Sequence, residues 1–158
     1  MDIIIRPAQP KDIPLIVELA SECVIASISP MRDILPSQVK EYRRKDLDSL
    51  NFWFQTEQEG IIFVAETKEG KFCGHIIVVV GNMDTLQVKQ GWIIDLSVKS
   101  SFRKQGVGKS LMMAAEEWLI KNKIKWAVLG VTTANKTAVD FYHKLGYKTE
   151  YLQLIKKL

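Results

Sequence analysis

The chain has few of the residues that build disulfide-bonded or metal-centred folds. Its 158 residues include two cysteines and two histidines, too few for a disulfide framework or a cysteine-based metal site. We therefore expect Cys23 and Cys73 to be reduced thiols in a cytoplasmic protein. His75 and His143 do not share an element at metal-ligand spacing, so no metal is expected and neither histidine is assigned a role.

Long apolar runs, internal repeats and low-complexity tracts are also missing. No apolar run reaches the roughly 18 residues that span a bilayer. The N-terminal sequence has an early acid and only a short apolar run, unlike a secretion signal, and no membrane contact is expected. The length and a hydrophobic fraction of 47% predict one globular domain over residues 1–158.

Charge is distributed unevenly along the chain. Residues 1–60 carry 7 basic and 10 acidic side chains, a net charge of −3, whereas residues 61–158 carry 15 basic and 8 acidic side chains, a net charge of +7. A basic half fits a polyanionic small molecule. It contains no basic stripe interleaved with aromatic residues and no nucleic-acid motif, so nucleic acid is not an expected partner.

The most informative motif is R-x-x-G-x-G at residues 103–108, between a strand-like run at 92–98 and a helix-like run at 107–121. Glycine lets the backbone pass close to a ligand, and the first N–H groups of a helix have no internal partner. The helix dipole adds positive potential, so phosphate is the expected guest. The basic side chains of the loop and of the first helical turn are Arg103, Lys104 and Lys109.

Two known phosphate loops are excluded. A Walker loop needs glycine where Arg103 stands, and a dinucleotide fingerprint needs a small residue where Leu111 stands. Taken alone, R-x-x-G-x-G is either an anion site or a plain turn before a helix.

A second block follows another strand-like run, at residues 127–133. Asn135 is a suitable helix N-cap, and Gly146 suits the residue after a helix. The apolar positions between them recur at helical spacing; they are Ala138, Phe141, Tyr142 and Leu145.

The rest of the chain alternates between strand and helix signals. Further strands are predicted at 3–7, 61–67, 72–80, 89–98 and 147–155, and helices at 12–25 and 35–50, with an aromatic-anchored loop at 51–60. The strands on either side of the 107–121 helix require a parallel, right-handed crossover. The pattern predicts an α/β chain with a mixed, mainly antiparallel sheet and helices on both faces.

Together these motifs resemble the GNAT superfamily of acyl-CoA N-acyltransferases. The family pattern is L-x-V, here residues 96–98, then [QR]-x-x-G-x-[GA], here 103–108. N-x-x-A-x-x-x-Y at 135–142 and L-G-[FY] at 145–147 follow. The detailed match covers about residues 92–150. The resemblance implies an α/β (α+β) fold with a mixed central sheet and a splayed pair of parallel strands.

The resemblance implies acetyl-CoA as cosubstrate. Its diphosphate would take backbone N–H groups of the glycine loop, and its pantetheine arm would pair with the β-strand backbone like an added strand. Asn135 either contacts the cosubstrate or only caps its helix. The implied cosubstrate-binding residues are Leu96, Ser97, Val98, Arg103, Lys104, Gln105, Gly106, Val107, Gly108, Lys109, Asn135 and Tyr142.

The resemblance also implies direct attack of an amine on the thioester. Tyr142 would supply a proton or hydrogen bond to the leaving thiolate. Asp95, which should face away from Leu96 and Val98, is the candidate base, acting through water, or else a structural acid. Many relatives carry glutamate in this strand, but the position before Asp95 is Ile94, which leaves the base open. Weaker candidates are Glu22 and Asp84.

Three functions remain from the sequence. The first is an N-acetyltransferase whose acceptor is a small-molecule amine, a peptide N-terminus or a lysine. The second is a non-catalytic acyl-CoA-binding regulator, and the third, disfavoured by Arg103 and Leu111, is a nucleotide-binding protein. A homodimer is compatible with the family but is not established by the sequence.

Overall fold

A computed structural model describes residues 2–50, 59–82 and 87–158. Five strands form one sheet in the order β1-β2-β3-β4-β5. Its strands are β1 (Ile3–Pro7), β2 (Gly60–Thr67), β3 (Phe72–Gly81), β4 (Gln90–Val98) and β5 (Ala127–Leu129). The helices are α1 (Ile13–Cys23), α2 (Pro36–Asp48), α3 (Val107–Lys121) and α4 (Lys136–Lys144). All neighbouring strands are antiparallel except β4 and β5, which run parallel. This confirms the predicted mixed sheet.

The sheet is covered on both faces, as predicted. Alternate residues of a strand point to opposite faces, so neighbouring positions of β3 join different cores. Ile77 packs with buried residues of α1, together with Leu47 of α2, on one face. Ile76 and Val78 pack with α3 on the other. The helix α3 lies directly on β4: a Cβ added to Gly91 would sit 2.3 Å from Leu119 Cδ2.

The elements with the strongest local signals begin where the sequence predicts. The helix after the glycine loop spans Val107–Lys121, matching the predicted run to the residue. Asn135 is the N-cap of α4, and its side chain accepts a hydrogen bond from the Ala138 N–H at 3.2 Å. None of the helices in the described ranges is both long and apolar enough to cross a bilayer.

Two strand predictions at the C-terminal end of the chain are corrected. The strand predicted at 127–133 ends at Leu129, because the chain then turns toward the Asn135 cap. The strand predicted at 147–155 does not form, although its apolar and aromatic residues favour one. A strand is stabilised by a paired neighbour. This segment instead runs to the loop before α2, where Lys157 forms an ion pair with Asp33.

Part of the predicted aromatic loop, residues 51–58, lies outside the described residues, as does the candidate base Asp84.

Candidate functional site

The glycine loop forms a left-handed turn that ends at the N-terminus of α3. Lys104 has φ 60° and Gly106 has φ 85°, a region that glycine enters without steric penalty. Gly106 is the N-cap, and the first bond of the helix runs from the Ser110 N–H to the Gly106 carbonyl at 3.0 Å. By helix geometry, the N–H groups of Val107, Gly108 and Lys109 precede that bond and point out of the helix end.

Basic side chains surround this helix end. Arg103, Lys104 and Lys109 are all exposed there. Arg103 is held in place, because its Nε donates to the Val98 carbonyl at 2.9 Å and its Nη2 lies 3.4 Å from Cys23 Sγ. The end of α3 therefore combines free amides, a helix dipole and positive charges nearby in the chain, which is the arrangement that binds phosphate.

The edge of β4 lies beside this helix end, where the Val98 carbonyl accepts from Arg103. The parallel pairing of β4 with β5 covers only Gly91–Ile93 against Ala127–Leu129. Over residues 96–98, β4 is paired with β3 on one side, and no strand of the described chain pairs with the opposite edge. Leu96 and Val98 pack toward the α3 core. The parallel pairing thus ends before residues 96–98, which leaves backbone groups of that edge available to an extended ligand.

Tyr142, on α4, packs against the α3 core, on the same side of the sheet as Leu96 and Val98. Its ring makes edge-to-face contacts with Phe141, at 5.3 Å between centroids, and Tyr147, at 6.0 Å. Burial, and then the negative charge of Asp95, raise the pKa of Tyr142 to about 12. The phenol is therefore protonated at neutral pH and can act as a donor.

Asp95 lies on the opposite face from Leu96 and Val98, as predicted. The strand register places Ile77, a residue of the α1–α2 core, opposite Asp95, and His75 opposite Ser97. The register shifts between Ile77 and Val78 of β3. Ile94 of β4 therefore has no partner in the register and is the extra residue of a β-bulge.

The Asp95 carboxylate is held by three side chains. Oδ1 accepts from His75 Nε2 at 2.9 Å and from Ser97 Oγ at 2.7 Å, while Oδ2 accepts from Arg43 Nη2 at 2.6 Å. Burial alone would raise the pKa of Asp95. The hydrogen bond from His75 and the charge of Arg43 outweigh it and lower the pKa to about 2. Asp95 is therefore a fixed anion at neutral pH.

Two members of this network carry no local sequence signal. Arg43 belongs to a basic run on α2, and His75 lies within an apolar strand, where its ring is fully buried. Only the strand register and the packing of α2 bring them to Asp95. Of the other candidates, Glu22 is exposed near the end of α1, and Asn135 caps its helix as described above.

Comparisons with known proteins identify the family of this chain. The family model described as "Acetyltransferase (GNAT) family" matches residues 28–147. An N-alpha-acetyltransferase of Sulfurisphaera tokodaii is 29% identical over 99 residues, which cover 58% of this chain and 59% of that protein. The match thus spans less than two thirds of that relative's length.

Solved structures share the fold over nearly the whole chain. A candidate acetyl transferase from Pyrococcus furiosus has a TM-score of 0.81 at 26% identity, covering 99% of this chain and 100% of its own. PaiA N-acetyltransferase from Thermoplasma acidophilum, solved in complex with coenzyme A, has a TM-score of 0.78 at 20% identity, covering 97% and 94%. The chain belongs to the GNAT family of N-acetyltransferases.

Proposed function

We propose that this protein transfers the acetyl group of acetyl-CoA to a primary amine by direct attack in a ternary complex. The observation that supports this most is the convergence of three features. They are the amide-lined end of α3, the unpaired β4 edge over residues 96–98, and the protonated phenol of Tyr142. The proposal takes residues 1–158 as one cytoplasmic catalytic domain, either monomeric or homodimeric.

The chemistry of the site fits coenzyme A. The N–H groups of Gln105, Gly106, Val107 and Gly108 would receive the diphosphate, together with Arg103, Lys104 and Lys109. The edge of β4 over Leu96, Ser97 and Val98 offers backbone partners to the amides of the pantetheine arm, although the Val98 carbonyl already accepts from Arg103. Asn135 is occupied as a helix cap, so its contribution would be to position α4.

In this proposal Tyr142 is the general acid. Acetyl-CoA supplies the thioester whose carbonyl carbon the amine attacks, releasing a thiolate. Tyr142 would give that thiolate its proton, because the phenol stays protonated over the physiological pH range. Holding the amine and the thioester together would supply the entropic part of the rate enhancement.

We propose that Asp95 acts through its charge rather than as the base. Its pKa of about 2 lies far below that of an alkylammonium, and His75, Ser97 and Arg43 already donate to the carboxylate. A proton is therefore transferred to it only at a large free-energy cost. The acceptor would react as the neutral amine that is present in equilibrium with bulk solvent, and the charge of Asp95 would help to keep Tyr142 protonated.

Peptide N-termini are the first acceptors to test. The Sulfurisphaera tokodaii relative is named an N-alpha-acetyltransferase, and lysine side chains and small-molecule amines complete a panel. The experiment measures free coenzyme A released from acetyl-CoA with each amine. Release above the amine-free rate, with an acetylated product confirmed by mass, supports the proposal.

The alternative function is a non-catalytic acyl-CoA-binding regulator. It is favoured by the engagement of Asp95, which leaves the described site without an evident base. Saturable binding of acetyl-CoA without transfer to any amine of the panel would favour this alternative. A folded protein with no affinity for coenzyme A would contradict both functions.

A glycine pair tests the cosubstrate site. Gly106 and Gly70 both have positive φ, 85° and 79°, and a Cβ added to either meets no atom within 4 Å. Alanine at either position should cost about 1–2 kcal/mol of stability through left-handed backbone strain. Only Gly106→Ala should weaken acetyl-CoA binding measured by calorimetry. Equal acetyl-CoA affinity in the two variants would exclude the loop as the diphosphate site.

A further inference from the structure

Arg43 makes an ion pair across the site that neither the motifs nor the proposed reaction require. It extends from α2 to the sheet, where Nη2 donates to Asp95 Oδ2 at 2.6 Å, while Nη1 donates to Asp46 at 2.7 Å. The side chains of Arg43 and Asp95 are only 16% and 11% exposed. A pair buried this deeply is no more stabilising than apolar packing of the same volume. Its presence at the site therefore points to a functional role.

Arg43 is the permanent cation that faces Asp95, and the charge effect of His75 also lowers the pKa of the carboxylate. His75 of β3 and Ser97 of β4 donate hydrogen bonds to the carboxylate. Tyr142 of α4 is a neutral phenol at neutral pH. On α1, Glu18 and Glu22 are exposed to solvent, and β5 carries no titratable residue. Asp46, on α2, forms its ion pair with Nη1, the other terminal nitrogen of the Arg43 guanidinium.

The charge of Asp95 acts on the Tyr142 phenol, because it contributes to the raised pKa of that group. If Tyr142 protonates the leaving thiolate, the attacking amine comes within a few ångströms of the same hydroxyl. An uncompensated carboxylate there would favour the ammonium form of the acceptor, which has no lone pair to attack with. A compensated carboxylate removes that preference.

We propose that Arg43 is a positioning residue that neutralises Asp95 from α2, so that the acceptor amine meets an electrically balanced site and is not held as an unreactive ammonium–carboxylate pair. The inference rests on the proposed function and specifies its acceptor side. It makes α2 part of the acetyl-transfer site.

Variants that remove one charge of the Arg43–Asp95 pair should shift the acidic limb of the pH profile in opposite directions. The probe is a short peptide with a free N-terminal amine, and the readout is the pH dependence of kcat/KM. Arg43→Gln leaves Asp95 unbalanced and should move the acidic limb up by about one pH unit, the low end of the effect of a nearby charge. Asp95→Asn leaves the guanidinium with only the exposed Asp46 as its partner and should move the limb down. Arg43→Lys keeps the charge and should leave the limb in place.

The double variant Arg43→Gln/Asp95→Asn separates charge from structure. It has no unbalanced buried charge, so the acidic limb should return to within a few tenths of a pH unit of the wild type. If Arg43 served only to hold α2, the double variant would be as impaired as Arg43→Gln, and no variant would shift the limb. That result would overturn the inference. If Arg43→Gln does not fold, Asp95→Asn alone decides, because an acidic limb that stays at the wild-type pH in that variant contradicts the inference.

A binding measurement tests, independently of activity, whether Arg43 neutralises Asp95. Calorimetry of n-butylammonium with the protein–coenzyme A complex should show about tenfold tighter binding to Arg43→Gln than to the wild type, by the same charge effect. The gain should vanish in the double variant. Unchanged binding in Arg43→Gln contradicts the role of Arg43. Failure of the wild type to acetylate any amine contradicts the proposed function instead, and the calorimetric result still stands.

Discussion

The depressed pKa of Asp95 makes a quantitative prediction about stability. Its pKa falls from the ordinary value of 3.8 to about 2 in the folded protein. Because the folded-state pKa is the lower one, the ionised carboxylate contributes stability above pH 3.8, and this is lost as the pH falls toward 2. At about 1.4 kcal/mol per pH unit, the full contribution is about 2 kcal/mol, of which about 1 kcal/mol is gone by pH 3.

Asp95→Asn removes this titration while keeping the shape of the side chain. At pH 6 the variant should be less stable than the wild type, because Arg43 loses its partner. As the pH falls, the wild type loses the contribution of its carboxylate and the variant does not. The difference in free energy of unfolding should therefore narrow by about 1 kcal/mol between pH 6 and pH 3.

Urea unfolding followed by tryptophan fluorescence at several pH values measures this difference. The comparison is between two proteins at each pH, so titrations common to both cancel. A difference that stays constant from pH 6 to pH 3 would show that Asp95 has an ordinary pKa. The ion pair with Arg43 and the hydrogen bond from His75 would then not hold the carboxylate as described.

Two further substitutions test the role of Tyr142 as the acid and the packing of α3 on β4. Tyr142→Phe removes the proposed donor and should lower kcat by about 10²-fold or more with little change in acetyl-CoA affinity; wild-type turnover would remove Tyr142 from the mechanism. Gly91→Ala places a Cβ 2.3 Å from Leu119 Cδ2 and should cost about 1–3 kcal/mol of unfolding free energy through overpacking. Gly130→Ala, where no atom lies within 4 Å, is the matched control and should leave stability nearly unchanged. Equal stabilities of these two variants would contradict the close contact of α3 with β4.

Local signals predicted the elements that carry the proposed cosubstrate site. The glycine loop and the helix-like run after it placed α3, and Asn135 placed the beginning of α4. These signals operate within one helical turn, so the residues that set them are close in sequence. The family pattern follows the same stretch, which explains why the anion site and Tyr142 could be nominated from the sequence.

Signals that depend on a distant neighbour were less reliable. The residues at 147–155 have the composition of a strand but pair with no strand among the described residues, and β5 is shorter than the β-branched residues at 127–133 suggest. Pairing is decided by which edges the rest of the sheet leaves available. That information is not contained in the segment itself.

The sequence by itself determined the order of the elements, the glycine loop at the N-terminus of α3 and the alternation that turns Asp95 away from Leu96 and Val98. Helix caps and strand periodicity act over a few residues, so they can be read along the chain. Only the tertiary structure decided that Arg43 and His75 meet at Asp95. Arg43 and Asp95 are separated by 52 positions, and their contact follows from the β3–β4 register and the packing of α2 over the sheet.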